Sequence, residues 1–211
     1  MKRTALFFGS FNPIHVGHLI IANTILQQPD VDEVWFVVSP HNPLKERATL
    51  LADHHRLAMV RRAIDDNYKL KACDVEMHLP VPSYTVVTLA ELGERYPERE
   101  FCLVMGSDNL AGLHRWRNYE HILQNYSIYV YPRPGSERCP LRDHPGVRMV
   151  DVPMIDISSS YIRQQIADGR DVRYLLTEPV YKYLTEMHFY EAKMTETEKE
   201  RLKRTQNEEM A

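Results

Sequence analysis

Short apolar runs alternating with helix-patterned stretches constrain this chain more than any other feature. Thr4–Phe8, Val34–Val38 and Phe101–Met105 are rich in Val, Leu and Phe and carry almost no polar side chain. Runs of this length read as strands buried on both faces, because an edge or one-sided strand would alternate with polar residues. Leu70–Val75, Ser127–Tyr131 and Val147–Val150 are weaker strands of the same kind. Between them lie helical patterns at Val16–Gln28, Leu51–Ile64, Thr85–Tyr96, Ser159–Ala167 and Val180–His188. In the second helix Leu51, His55, Ala58, Met59 and Arg62 fall near one stripe. The alternation predicts an α/β fold, a doubly wound and mainly parallel sheet with helices on both faces. Ligands of such sheets bind beyond the carboxyl ends of the strands. The segments starting at Gly9, Ser39 and Gly106 each follow a predicted strand, so they converge on one mouth.

Composition narrows the partners. Of the 211 residues, 44% are hydrophobic and 26% charged, and the formal net charge is -3. A protein gripping duplex nucleic acid by its backbone carries a strong positive excess, so no nucleic-acid partner is expected. Cys73, Cys102 and Cys139 are widely spaced and form no C-x-x-C, which fits a reducing cytoplasm and not a disulfide or zinc framework. Lys2 and Arg3 precede an apolar run, but Ala5–Phe8 is shorter than a signal-peptide core of roughly 7–15 residues. No stretch approaches the ~20 apolar residues of a membrane span. Residues 1–192 read as one domain, and 193–211 as a charged tail, helical or disordered, with five basic and five acidic residues. Assembly into a homo-oligomer stays open.

Residues 9–18 read GSFNPIHVGH. Gly9 and Ser10 turn the chain at a strand end, and a helix starts near Ile14 or His15. Its unpaired N–H groups and positive dipole end suit an anion. His15 and His18 are three residues apart and share one face of the first turn. Two imidazoles there can donate to phosphoryl oxygens, more strongly as charge builds during transfer. The alternatives are a zinc pair, for which no third ligand is evident, and ordinary polar residues at a helix start. Residues 157–163 read ISSSYIR. Hydroxyls of Ser158, Ser159 and Ser160 ahead of a helix, with Arg163 one turn in, make a second anion site or a plain N-cap beside a solvated arginine.

The two segments together resemble the H-x-G-H and I-S-S-T-x-I-R signatures of the nucleotidyltransferase α/β-phosphodiesterase superfamily, with Ser160 in the threonine position. The resemblance implies a Rossmann-like fold. It also implies that Gly9, Ser10, Phe11, His15, His18, Ser158, Ser159, Ser160 and Arg163 surround ATP, and that Mg²⁺ arrives bound to the ATP phosphates. No protein metal site is expected.

Further segments are similar to the nicotinate-nucleotide adenylyltransferase family over about Thr4 to His188. SPHNPLK at 39–45 resembles its basic loop, with Lys45 placed to reach phosphates. SYTVVTL at 83–89 resembles S-Y-T-x-D-T-L, with Val87 in place of the aspartate. MGSDNL at 105–110 followed by Trp116, and YPRPG at 131–135, resemble two more family elements. The resemblance implies ATP contacts from Gly106, Asp108 and Arg133, and an acceptor site at Lys45, Tyr84, Thr85 and Trp116, with the tryptophan against a pyridine ring. Taken singly, Asp108 is also a plausible helix cap, Trp116 a core residue and Arg133 a surface residue. Asn12 replaces a common aspartate, and either residue can hold the turn by side-chain hydrogen bonds. The DHHR cluster at 53–56 invites a metal reading, which the divergent directions of His54 and His55 on a helix argue against.

The expected reaction joins ATP and nicotinate mononucleotide. His15, His18, Lys45 and Arg163 act by positioning and charge stabilisation, without a covalent nucleophile. The alternatives are an adenylyltransferase for nicotinamide mononucleotide or phosphopantetheine, and a nucleotide-binding module without catalysis.

Overall fold

A computed structural model describes residues 1–40, 50–135 and 139–192. Six strands form one sheet: β1 Lys2–Gly9, β2 Glu33–Val38, β3 Leu70–Cys73, β4 Arg99–Gly106, β5 Ile128–Tyr131 and β6 Val147–Met149. All neighbouring pairs are parallel, and the spatial order is β3-β2-β1-β4-β5-β6. Successive strands step outward one way from β1 and, after β4, the other way. The switch point therefore falls between β1 and β4, the crevice where sheets of this topology take ligands.

The helices are α1 Val16–Leu26, α2 Asp53–Ala63, α3 Thr85–Arg95, α4 Ser107–Ala111, α5 Tyr119–Asn125, α6 Ser159–Ala167 and α7 Glu178–Glu186. Period-two alternation sends strand side chains to opposite faces. Ala5, Phe7, Phe36, Val104 and Tyr129 pack under buried residues of α1, α2, α6 and α7. Leu6, Trp35, Val37, Leu103 and Val130 pack under those of α3, α4 and α5. Both faces are covered, which is why β1, β2 and β4 have so few polar positions.

The α2 stripe read from the sequence coincides only in part with the buried face: Met59 lies in it, and Arg62 is exposed. The buried residues of α2 are Arg56, Leu57, Met59, Val60 and Ala63, whereas His55 is half-buried against Phe189 and Tyr183 of the α7 region. Two helices escaped the sequence reading. α4 and α5 are short, and Gly112 and a 3₁₀ turn at Leu113–Arg115 stand between them.

At the amino ends of the strands, buried Glu33 accepts from Thr4 Oγ1 at 3.0 Å and Trp35 Nε1 at 3.1 Å, and pairs with Arg99 and with Lys71. Asp30 beside it accepts from the Tyr129 hydroxyl and Arg148, and pairs with Arg3. These networks close the end of the sheet away from the switch point. All three cysteines are free. Burial pushes Cys73 up to about 11 and Cys102 up to about 12, so neither is a thiolate at neutral pH. Among the described residues no helix is long and apolar enough to cross a membrane. The predicted tail and the loop at 41–48 lie outside the described residues.

Candidate active site

β1 ends at Gly9 and the chain turns sharply into α1. Phe11 takes φ +45° and its ring is buried, stacked edge-on to Phe7 and Phe36. A Cβ on Gly9 would stand 2.8 Å from that ring, so only glycine leaves room for the turn. Phe11 anchors the loop from below. Any contribution it makes to a nucleotide comes through its backbone, not its side chain.

α1 starts at Val16 with His15 as N-cap in extended conformation. The His15 N–H donates to Nδ1 of His18 at 3.2 Å. That bond puts the proton of a neutral His18 on Nε2, making this nitrogen the donor. The two rings lie 3.7 Å apart. Gly17 between them has a definite cause. A Cβ there would meet the His15 ring at 3.0 Å, so the ring folds over the glycine. Burial, with the nearby charge of Arg133, lowers the His15 pKa to about 4, and this imidazole is neutral at pH 7.

The second segment meets the first across the sheet's carboxyl edge. Ser158 caps α6 by accepting from Tyr161 N at 3.1 Å. Ser159 Oγ donates to the Pro13 carbonyl at 2.9 Å. Arg163 Nη1 donates to the Asn12 carbonyl at 2.9 Å, and Nη2 to Ser160 Oγ at 3.3 Å. The solvated-arginine alternative therefore fails: Arg163 ties α6 to the histidine loop. His15 Nδ1 and Arg163 Nε, both buried, have no hydrogen-bond partner among the described residues.

The β4 and β5 ends complete the mouth. Gly106 pairs with Tyr131 across the strands. A Cβ on Gly106 would lie 2.3 Å from Asp108 Oδ1 and 3.0 Å from Arg133 Cγ, so all three crowd one spot. The cap of α4 is Gly106, and Asp108 is an exposed first-turn residue instead of the cap. The Arg133 side chain is exposed, while its N–H donates to Ser107 Oγ at 2.8 Å. Trp116 packs partly against the core and lines a recess with Phe8, Met105, Asn109 and Tyr131. Tyr84, the N-cap of α3, lies under the Arg117 guanidinium at 5.0 Å, which brings the Tyr84–Thr85 segment alongside Trp116. Lys45 lies outside the described residues.

Arg56 is the residue that the sequence reading missed. It is 0% exposed, and its guanidinium donates to the carbonyls of Ser10, Ser39, Pro40 and Leu51 at 2.6–3.0 Å and to Asp53 Oδ1 at 2.5 Å. It fixes the β1 loop against the end of β2. The adjacent His54 and His55 rings lie 4.0 Å apart, closer than divergent helix directions suggest. No group of three or more potential metal ligands forms among the described residues. Asn12 Oδ1 accepts two long-range bonds, from Leu51 N at 3.2 Å and from the Tyr190 hydroxyl at 2.6 Å.

Residues 6–165 match the model of the cytidylyltransferase-like family. A protein of Flavobacterium johnsoniae named "Probable nicotinate-nucleotide adenylyltransferase" is 50% identical over 190 residues, covering 89% of this chain and 98% of that one. A Bacteroides thetaiotaomicron protein of the same name is 45% identical, over 87% and 91% of the two chains. The chain belongs to the nicotinate-nucleotide adenylyltransferase family. Its fold matches the solved nicotinic acid mononucleotide adenylyltransferase of Plasmodium falciparum complexed with NaAD, with a TM-score of 0.77 at 22% identity over 90% of this chain and 98% of that one.

Proposed function

We propose that this member of the family transfers AMP from ATP to nicotinate mononucleotide, giving nicotinate adenine dinucleotide and pyrophosphate in NAD biosynthesis. The observation that carries the site reading is the meeting of His15, His18 and the Ser158–Arg163 segment at the amino end of α1, on the carboxyl side of the β1–β4 switch point. Two imidazoles, hydroxyls and a guanidinium form a donor-rich set. Such a set suits phosphate oxygens, not a bare cation.

A phosphate oxygen of the mononucleotide attacks the α-phosphorus of ATP. The bond from that phosphorus to the oxygen bridging to the β-phosphate breaks, and pyrophosphate leaves. The attacking oxygen is already ionised at neutral pH, so no residue has to remove a proton. His18 would donate through Nε2 as charge develops, and neutral His15 would add a dipole without repelling the cleft's cations. Arg163 would hold the phosphates, with Asp108 and Arg133 near the nucleotide. Mg²⁺, carried in on ATP, would offset phosphate charge; the donor set leaves it to the nucleotide, not the protein, to bind the ion. Lys45 keeps its proposed phosphate role on sequence grounds alone.

For the acceptor, Trp116 would offer a flat face to the pyridine ring. The acid differs from the amide by one negative charge. α3 has no acidic residue in its first turn, where Val87 replaces the family aspartate, and Arg117 stands above Tyr84. The Arg117 charge favours a carboxylate near Tyr84, Thr85 and Trp116. A site built to pair a charged group rejects the analogue lacking it by large factors. The test is kcat/KM for pyrophosphate release with ATP and Mg²⁺ across nicotinate mononucleotide, nicotinamide mononucleotide and phosphopantetheine. A clear preference for the acid is expected. Equal rates for acid and amide would refute the acceptor assignment, and no release with any acceptor would refute the enzyme.

A further inference from the structure

Beyond α7 the chain makes a turn that no sequence pattern marked. His188 and Tyr190 both take left-handed backbone angles, φ +52° and +66°, although neither is glycine. Such conformations persist in non-glycine residues only when the surroundings impose them. The turn is tied by Phe189 N to the Leu184 carbonyl at 3.1 Å and by the Phe189 ring 4.7 Å from His55. Its outcome is that Tyr190 reaches back under the nucleotide loop. Its hydroxyl donates to Asn12 Oδ1 at 2.6 Å. Arg163 holds the carbonyl of the same residue, and Arg56 holds the carbonyl of Ser10 two residues earlier. Asn12 is 3% exposed and sits between left-handed Phe11 and Pro13, and the same Oδ1 also accepts from Leu51 N at 3.2 Å.

We propose that Tyr190 is a positioning residue for nucleotidyl transfer: its hydroxyl, set by the turn after α7, holds Asn12 and so the loop that presents His15 and His18. The proposal rests on the adenylyltransferase reading for its catalytic consequence. The contact itself does not depend on that reading. The hydroxyl lies between the charges of Arg56 and Arg163, and burial pushes its pKa far up, so it remains a donor at all working pH values. Tyr190 meets the loop at Asn12, the residue whose carbonyl Arg163 holds, and is given no contact with the reacting phosphates. Its effect is on where the two imidazoles stand.

Tyr190→Phe removes the hydroxyl and keeps the ring packing, so the fold is retained. Three measurements on the full-length chain decide the question: thermal melting, amide hydrogen exchange of residues 9–16, and steady-state turnover with ATP, Mg²⁺ and nicotinate mononucleotide. Loss of one neutral hydrogen bond predicts a kcat lowered about 3- to 10-fold. Exchange at residues 9–16 should rise by a similar factor, with the KM for nicotinate mononucleotide nearly unchanged and melting within a few degrees of wild type. In a cycle with Asn12→Ala, the two losses in kcat should fail to add, because either substitution breaks the same bond. Unchanged exchange in the loop, or changed exchange with unaltered kcat, overturns the proposal, as does full additivity with Asn12→Ala. If the wild-type protein fails to turn over any acceptor, the adenylyltransferase reading falls. The exchange comparison then still decides whether Tyr190 holds the loop.

Discussion

His15 and His18 stack 3.7 Å apart at the start of α1, with Gly17 beneath the His15 ring. The spacing of the two histidines puts them on one face, but the glycine sets how close they come. Gly17→Ala would put a methyl group 3.0 Å from His15 Nδ1, and the ring would have to give way by a few tenths of an ångström. Alanine suits a helix better than glycine by up to about 1 kcal/mol, so the helix itself is not harmed. The expected outcome is a normal melting temperature with turnover reduced by roughly tenfold or more, as for a misplaced donor in a preorganised site. Turnover equal to wild type would show that the ring position has no bearing on transfer.

The same burial gives His15 a pH signature. Its pKa falls from 6.5 to about 4 in the fold. Below 6.5 the unfolded chain takes up a proton that the folded chain refuses. Stability therefore is greatest above about pH 6.5 and declines as pH falls towards 4, by up to about 3 kcal/mol. His15→Gln removes this term. Melting temperatures of the two proteins should respond differently between pH 7 and 5, the wild type losing more. Parallel curves would mean that His15 titrates as an exposed histidine.

Arg56 supports the loop by a different route. Its ion pair is with Asp53, whose side chain is 41% exposed, so the pair itself contributes little. Its main work is to satisfy four carbonyl groups from three segments. Arg56→Met would strip these carbonyls of their donor at a cost of about 3 kcal/mol or more, lowering the melting temperature by about 6–12 °C. Asp53→Asn should cost less than about 1 kcal/mol. Similar losses from both variants would place the stabilisation in the ion pair instead.

The strands were legible because burial on two faces leaves an unambiguous mark: Phe101–Met105 and Val34–Val38 have almost no polar position to misplace. The GSFNPIHVGH segment was legible because strand end, turn and helix start occur within ten residues. Arg56 was hidden for the opposite reason. An arginine on a helix counts as an outward residue, and its carbonyl partners come from Ser10, Ser39 and Pro40, whose approach depends on tertiary structure. The α2 stripe through Leu51, His55, Ala58, Met59 and Arg62 met the buried face only at Met59 for the same reason. Tyr190 lies past the last periodic residue, in a turn that contains no glycine or proline to announce it. α4 and α5 were too short to show a period.

That turn yields the last expectation. His188 occupies the position after the α7 C-cap, the site where helices commonly place a left-handed glycine. The left-handed conformation costs an ordinary residue about 1–2 kcal/mol, partly offset here because glycine is more flexible in the unfolded chain. The imidazole gives up only an exposed contact with Glu191 at 3.1 Å. His188→Gly should therefore stabilise the protein by about 0.5–1 kcal/mol, raising the melting temperature by roughly 1–4 °C. Turnover should stay at the wild-type level, since the turn keeps its shape and Tyr190 keeps Asn12. A drop in melting temperature would show that His188 does more than tolerate its backbone, and would direct attention to its pairing with Glu191.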